Sequence, residues 1–161
     1  MSRLRQSLPD VELQLMRADR VAEAEHLIFA TRNALRAFSR KYQRSRTVAM
    51  EILLYVSCQR QISKAIELLG VTQSTSQVAI VALSRRTRTL ASLPKTVEKI
   101  LGGKLDDKVL EIRTKRKLLD LRKAYDISEK ELGTVRVEGK EEAEVIKQLV
   151  LERSALLALE S

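Results

Sequence analysis

The residues best suited to bind an anion lie in one short stretch, Ser57-Cys58-Gln59-Arg60-Gln61-Ile62-Ser63-Lys64. If a strand ends near residue 57 and a helix begins near residue 60, the unpaired N–H groups of the first helical turn point toward a ligand. Ser57 is placed to cap that helix, and Arg60, Gln61 and Lys64 share one of its sides. The pattern predicts a site for a phosphate or a nucleotide edge. The alternative is a capped helix whose charges are only solvated.

Residue types that perform catalysis are sparse in this chain. Cys58 has Arg60 nearby, but the only histidine, His26, belongs to another predicted element and no base is assigned to the thiol. The paired acids at 106–107 and 141–142 adjoin predicted helices, where they complement the helix dipole. One cysteine and one histidine do not make a zinc site, and no phosphate-binding loop is present. We therefore expect no enzymatic activity, no cofactor and no bound metal.

Positive charge is concentrated in the first part of the chain. The formal net charge is +9, and residues 1–92 account for a net of +8, with arginine outnumbering lysine thirteen to two there. Arginine forms bidentate contacts with phosphates and base edges. The charge favours a polyanionic partner, nucleic acid rather than a membrane surface, although charge that only keeps the protein soluble gives the same totals. The residues expected to add attraction outside the 57–64 stretch are Arg32, Arg36 and the cluster at 85–88.

Composition limits the class of protein. Apolar residues make up 44 % of the chain, which is enough for a core, while 3 % aromatics disfavour a single-strand platform built on stacking rings. The longest apolar run, Val78–Leu83, is too short to span a membrane, and the first residues lack the apolar stretch of a signal peptide. We expect a cytoplasmic protein with no membrane contact. It is predicted to form one domain over residues 1–161, with a flexible N-terminal segment at 1–8.

Hydrophobic periodicity predicts strands as well as helices. Alternation at Val11–Met16 predicts a half-buried strand, and apolar residues at helical spacing predict a helix over about 20–42. The next segment is ambiguous, because one long helix could run over 48–69. The alternative is a buried strand at 52–56 followed by a helix over about 60–70. We favour the strand, since a surface helix is rarely apolar on every face.

The remaining segments complete an α/β pattern. A second buried strand is predicted at Val78–Leu83, a short helix near Pro94 that ends at 102–103, and an edge strand at Val109–Ile112. Three further helices are expected, over about 115–125, from Ser128 with Glu131 at capping-box spacing, and over about 141–158. The sequence thus predicts a single α/β domain, with a small mixed three- or four-stranded sheet packed by several helices.

A second interpretation concerns the segment 65–80. Its sequence resembles a DNA-reading helix-turn-helix, with Leu69-Gly70-Val71 at the turn. A recognition helix needs a polar outer face for the groove, and Val78–Leu83 offers none. A buried strand fits that run better, and a helix-turn-helix DNA-binding regulator is the alternative function.

Four segments occur in the order found in one known family. The first is Glu51-Ile-Leu-Leu-Tyr-Val-Ser-Cys-Gln-Arg-Gln-Ile-Ser-Lys-Ala-Ile-Glu-Leu-Leu-Gly-Val71, and the others are residues 25–38, 121–132 and 145–157. Together they resemble the small regulatory subunit of the KEOPS complex, the TPRKB family of kinase-binding proteins, and its archaeal members most closely. The likeness covers about residues 20–158. Eukaryotic members carry a Pro-Asn-Asn-like loop where this chain has residues 58–60.

The resemblance implies a non-catalytic subunit of the machinery that makes threonylcarbamoyladenosine in tRNA. Members of the family bind the kinase/ATPase subunit of the complex directly, and the transferase subunit indirectly through it. Archaeal members are similar to a tRNA-recruiting module that holds the 3′ CCA tail. Combined with the charge pattern, the resemblance predicts RNA contacts at Arg60, Gln61, Lys64, Ser57, Arg46 and Arg32.

Overall fold

Helices surround a small sheet in this computed structural model, which describes residues 2–135 and 141–159. The elements in chain order are α1 (Ser2–Ser7), β1 (Glu12–Arg17), α2 (Glu23–Arg40), α3 (Val48–Ser57), α4 (Ile62–Leu69), β2 (Val78–Leu83), α5 (Thr87–Leu101), α6 (Lys115–Ala124), α7 (Glu129–Val135) and α8 (Glu142–Leu159). Short 3₁₀ helices lie at Ala18–Arg20 and Asp107–Leu110. The strands predicted at Val11–Met16 and Val78–Leu83 are confirmed as β1 and β2. The helices α2, α4, α6 and α8 are also confirmed.

The sheet consists of β1 and β2, which pair antiparallel with Leu15 opposite Ile80. One face of the sheet packs against α1 and α5 through an aliphatic cluster that includes Leu13, Leu15 and Val97. Leu4 of α1 is buried in this cluster, within the segment for which flexibility was predicted. The opposite face contributes residues to a second and larger cluster, shared with α2 and α3. The sheet therefore separates two layers of helices.

Helix α3 occupies the position where a strand at 52–56 was predicted, and that prediction is wrong. The Thr47 hydroxyl accepts a hydrogen bond from the Met50 N–H at 3.2 Å, and Cys58 closes the helix in the left-handed conformation with φ 54°. Contacts with α2, α4, β1 and α8 surround α3. A run that is apolar on every face therefore fits a helix, because every face of this helix is covered. The single helix over 48–69 is also wrong, since Cys58 ends α3 before α4 begins.

The edge strand predicted at Val109–Ile112 is wrong as well. The chain forms the 3₁₀ helix Asp107–Leu110 there, and the Asp106 carboxylate accepts a hydrogen bond from the Lys108 N–H. The Lys117 ammonium donates to the carbonyl oxygens of Val109 and Leu110 at 2.8 and 2.7 Å. These carbonyls are bound by a side chain rather than by a neighbouring strand. The described residues thus contain a two-stranded antiparallel sheet, and the mixed sheet of three or four strands is not confirmed.

The segment that follows α4 is not helical, which excludes the helix-turn-helix alternative. The Gly70 N–H donates to the Ile66 carbonyl at 2.7 Å, and a Cβ at residue 70 would collide with that same oxygen. The chain then runs in extended and turn conformations to β2. The segment that a recognition helix would occupy is therefore a strand paired with β1.

Glu51 of α3 carries a carboxylate that is buried inside the protein. Glu51 is 0 % exposed, and its side chain accepts hydrogen bonds from the Arg44 N–H, the Ser45 N–H and the Ser45 hydroxyl at 2.7 to 3.2 Å. Such bonds to a buried charge are stronger than neutral ones. Glu51 therefore fixes the loop between α2 and α3 from inside the protein.

Substitution of Glu51 tests this role. Glu51→Ala leaves the N–H groups of Arg44 and Ser45 without their acceptor, while the Ser45 hydroxyl keeps the Thr47 carbonyl, so we expect the free energy of unfolding to fall by about 3 kcal/mol. Urea denaturation measures the change. The control is Glu67→Ala on the exposed side of α4, which should change stability by no more than about 0.5 kcal/mol. Equal losses in the two variants would contradict the role assigned to Glu51.

Stability at mildly acidic pH should depend on His26. The ring is 0 % exposed, its Nδ1 accepts a hydrogen bond from the Ala22 N–H at 3.2 Å, and it packs edge-on against Tyr125. Burial lowers the pKa of His26 to about 4. The unfolded chain binds the proton near pH 6.5, so protonation favours unfolding, and stability is lost as the pH falls from about 6.5 toward 4.

The size of the effect follows from the difference between the two pKa values. Between pH 7 and pH 5 we expect the wild-type protein to lose about 2 kcal/mol of stability through His26. His26→Gln keeps a hydrogen-bond acceptor but does not titrate, so this part of the loss should be absent. Urea titrations at both pH values compare the two proteins, and an unchanged pH dependence in the variant would contradict the assignment.

Candidate nucleic-acid interface

The junction between α3 and α4 differs from the predicted strand-to-helix junction. Cys58 ends α3 in the left-handed conformation, and the Gln59 N–H donates to the Leu54 carbonyl at 3.1 Å. The Ser57 hydroxyl donates to the same carbonyl at 3.0 Å, inside its own helix. The prediction that Ser57 caps the following helix is therefore wrong. Gln61 occupies the N-cap of α4 and makes no side-chain capping bond.

This junction forms one side of a cavity of about 470 Å³. Arg60, Gln61 and Lys64 line it together, although Arg60 and Gln61 precede α4 and do not lie on one side of a helix as predicted. Ser57, which is buried, also lines it. The opposite side comes from the C-terminal end of α6 and from α8. The lining residues contributed there are Ala124, Tyr125, Asp126, Arg153, Leu156 and Leu157.

The other predicted arginines lie outside the lining of this cavity. Arg32 is exposed on α2, beside Arg36, and Arg46 is exposed in the loop between α2 and α3. In the 85–88 cluster, Arg86 forms an ion pair with Asp10 at 2.7 Å. These residues contribute charge to the surface but do not complete the site around Arg60.

The predicted capping box at the start of α7 positions one wall of the cavity. The Glu131 carboxylate accepts hydrogen bonds from the Ser128 N–H and hydroxyl, and the Ser128 hydroxyl accepts from the Glu131 N–H. These bonds, with a further one from Arg153, lower the pKa of Glu131. Arg153 Nη2 donates to Glu131 Oε1 at 2.6 Å. The capping box thus holds the carboxylate that binds the Arg153 guanidinium beside the cavity.

Cys58 lies in the same cavity without the properties of a nucleophile. Its thiol is directed at the carbonyl oxygens of Tyr55 and Val150, each 3.7 Å from Sγ. Burial raises the pKa of Cys58 to about 12, against a smaller lowering by the charge of Arg153. The thiol is therefore protonated near neutral pH and serves as a small half-buried side chain.

A second cavity, of about 570 Å³, surrounds the N-terminal end of α6, and sequence reasoning did not identify it. Its walls carry cations and carboxylates side by side, including the Arg17–Asp19 ion pair at 2.6 Å. Burial lowers the pKa of Lys117, at one wall, to about 8. Because opposite charges alternate around this space, it is less suited to a polyanion than the cavity at Arg60.

The described residues provide neither a cluster of metal ligands nor a membrane-spanning helix. No group of three or more His, Cys, Asp and Glu side chains is placed to hold a metal ion within residues 2–135 and 141–159. None of the helices in those ranges combines the length and apolar character that a membrane span needs.

Asp126 and Arg153 are the charged lining residues of the cavity that sequence reasoning missed. They are distant in sequence from the 57–64 stretch and lie outside any charge run, and the family-resembling segments that contain them, 121–132 and 145–157, give neither residue a role. The capping box at Ser128 is the nearest available signal, but it predicts only the start of a helix. Their contribution becomes visible when α6 and α8 are packed beside α3.

Comparison with known proteins identifies the family. The family model described as kinase binding protein CGI-121 matches residues 1–158. The regulatory protein Cgi121 of Methanocaldococcus jannaschii is 29 % identical over 109 residues, which cover 68 % of this chain and 67 % of that protein. The predicted resemblance to kinase-binding proteins is confirmed. With nearly its whole length matched, the chain belongs to the CGI-121 family of kinase binding proteins.

Proposed function

We propose that this chain is a non-catalytic accessory subunit of the KEOPS complex, which makes threonylcarbamoyladenosine in tRNA. It binds the kinase/ATPase subunit of that complex directly, and through it the transferase subunit. It recruits tRNA by holding the 3′ CCA tail. The family of kinase binding proteins supports the first partner, and the cavity at the α3–α4 junction supports the second.

The observation that carries tRNA recruitment is the meeting of Arg60, Gln61 and Lys64 at one cavity. Their side chains lie at the start of α4, where the helix dipole also favours negative charge. The volume of about 470 Å³ suits a flexible end of an RNA chain better than a duplex. With no aromatic ring exposed there for stacking, guanidinium groups and Leu156 provide the flat and apolar surfaces available to bases.

The kinase/ATPase subunit requires a separate surface, and α2 provides one. Ile28 and Leu35 lie seven residues apart, two turns of the same helix face, and their side chains are 54 % and 44 % exposed. Two exposed apolar side chains on one helix face give a partner an apolar area to cover. The opposite face of α2 is buried against α3 and α8. The exposed face is therefore available without any rearrangement of the core.

Charge placed on this face should prevent docking. Ile28→Glu combined with Leu35→Glu replaces two partner-covered side chains, and we expect the affinity for the kinase/ATPase subunit to fall roughly hundredfold. Calorimetry or surface plasmon resonance with the purified subunit measures it. The control is Leu119→Glu on α6, an exposed leucine (62 %) away from α2, which should bind normally. Normal binding by the double variant would place the docking surface elsewhere.

Removal of the cavity's cations should weaken tRNA binding. Arg60→Ala with Lys64→Ala is expected to lower the affinity and to reduce the slope of log K against log salt by about 1.4, the value for two lost contacts to single-stranded phosphates. Filter binding across a salt series measures both quantities. Lys115→Ala with Lys130→Ala, exposed positions outside the cavity lining, gives the same change in net charge and should leave the affinity nearly unchanged.

A second comparison separates tail recognition from general attraction to phosphates. The wild-type protein should bind intact tRNA more tightly than the same tRNA lacking its CCA end. Equal affinity for both RNAs would contradict recruitment through the tail. It would leave the kinase-binding role, which depends on different residues, unaffected.

A further inference from the structure

Asp126 is unexpected at the edge of a cavity that attracts phosphates. Among the described lining residues it is the carboxylate beside Arg60, Lys64 and Arg153. It follows the end of α6 in the left-handed conformation, with φ 50°, and the next N–H, that of Ile127, donates to the Arg122 carbonyl at 2.8 Å. The backbone that carries Asp126 is therefore held in place by the end of the helix.

The carboxylate of Asp126 is not engaged by the cations around it. Arg153 Nη2 binds the main-chain oxygen of Asp126 at 3.3 Å and the carboxylate of Glu131 at 2.6 Å. Within residues 2–135 and 141–159, no side chain or N–H forms an ion pair or hydrogen bond with the Asp126 carboxylate. The side chain is exposed. Because Asp126 is one of the lining residues, this exposed carboxylate is an acceptor that a ligand can reach at the edge of the cavity.

The charge of this group selects the part of an RNA that it can contact. A carboxylate repels phosphate oxygens and carbonyl oxygens, but it accepts hydrogen bonds from amino groups. Cytosine presents an N4 amino group, whereas uracil presents the O4 acceptor at the same position. Asp126 therefore tolerates a cytosine and opposes a uracil, while Arg60 and Lys64 attract the backbone.

We infer that Asp126 determines base specificity in this cavity by accepting a hydrogen bond from the N4 amino group of a cytosine. The inference rests on the proposed binding of the tRNA tail, and it adds which chemical group of the tail is read and by which residue. It also explains why a carboxylate is present among cations that bind a polyanion.

Two RNA pentamers that differ only in their last three nucleotides, CCA and UUA, test the inference with the full chain. Wild-type protein should prefer the CCA pentamer by about tenfold or more. Asp126→Asn should bind both within about threefold of each other, because an amide accepts from cytosine N4 and donates to uracil O4. Asparagine adopts the left-handed conformation readily, so the end of α6 is preserved. Fluorescence anisotropy gives the four affinities.

A matched variant controls for the change in charge. Asp107→Asn removes a carboxylate that is exposed and outside the lining of this cavity, and it should keep the wild-type preference. A preference that persists in Asp126→Asn overturns the inference, as does a wild-type protein that binds the two pentamers equally. In both cases tail binding itself stands. If the wild-type protein binds neither pentamer, the proposed recruitment of the tail fails, and the role of Asp126 fails with it.

Discussion

The enclosure of helix α3 on all sides is the constraint on which the other elements depend. Residues 51–57 are all buried, so four other elements must lie against this helix to exclude water. Hydrogen bonds also join neighbouring segments to α3. The Ser154 hydroxyl of α8 donates to the Tyr55 carbonyl at 3.0 Å, and the Tyr125 hydroxyl, at the end of α6, lies 2.9 Å from the Val56 carbonyl. The buried carboxylate of Glu51 accepts hydrogen bonds from Ser45, in the loop that precedes α3. The position of the C-terminal end of α3, and hence of the cavity beside it, follows from these contacts.

Elements with one apolar and one polar face could be predicted from the sequence. For runs that are apolar on every face the strand prediction was right at Val78–Leu83 and wrong at 52–56. In α2 the buried and exposed residues alternate at helical spacing, and in β1 the apolar residues alternate with polar ones, so each pattern has one structural solution. The run 52–56 has no polar face, and periodicity alone does not distinguish a buried helix from a buried strand. Thr47, a good N-cap residue three positions after Arg44, where the connector begins, was the available signal for a helix. At Val109 the decisive group was a distant ammonium, that of Lys117, which no local pattern reveals.

The residues of the candidate site could likewise be predicted from the sequence only in part. Arg60, Gln61 and Lys64 are close in sequence, and a short connection followed by a helical turn keeps them together whether a strand or a helix precedes it. The prediction that they share a surface therefore survives the wrong assignment at 52–56. Arg153 and Asp126 join them only through tertiary packing of α6 and α8, which a single sequence does not specify. Arg32 and Arg46 were selected for their charge, and charge alone carries no information about position.

The walls of the cavity are synthesised one after another, and the wall that α8 contributes follows the other walls. Arg153, Leu156 and Leu157 belong to α8, and the contacts that seat this helix join residues about a hundred positions apart, such as Arg44 Nη2 and the Leu157 carbonyl at 3.1 Å. Contacts of such long sequence separation form late in folding, since the loop they close is long. While residues 142–159 are still inside the ribosome, the α3–α4 junction is open on one side and the Arg153–Glu131 pair does not exist. Until α8 is in place, Arg60 and Lys64 have no wall opposite them, and the volume that would select a ligand by its shape is not yet defined.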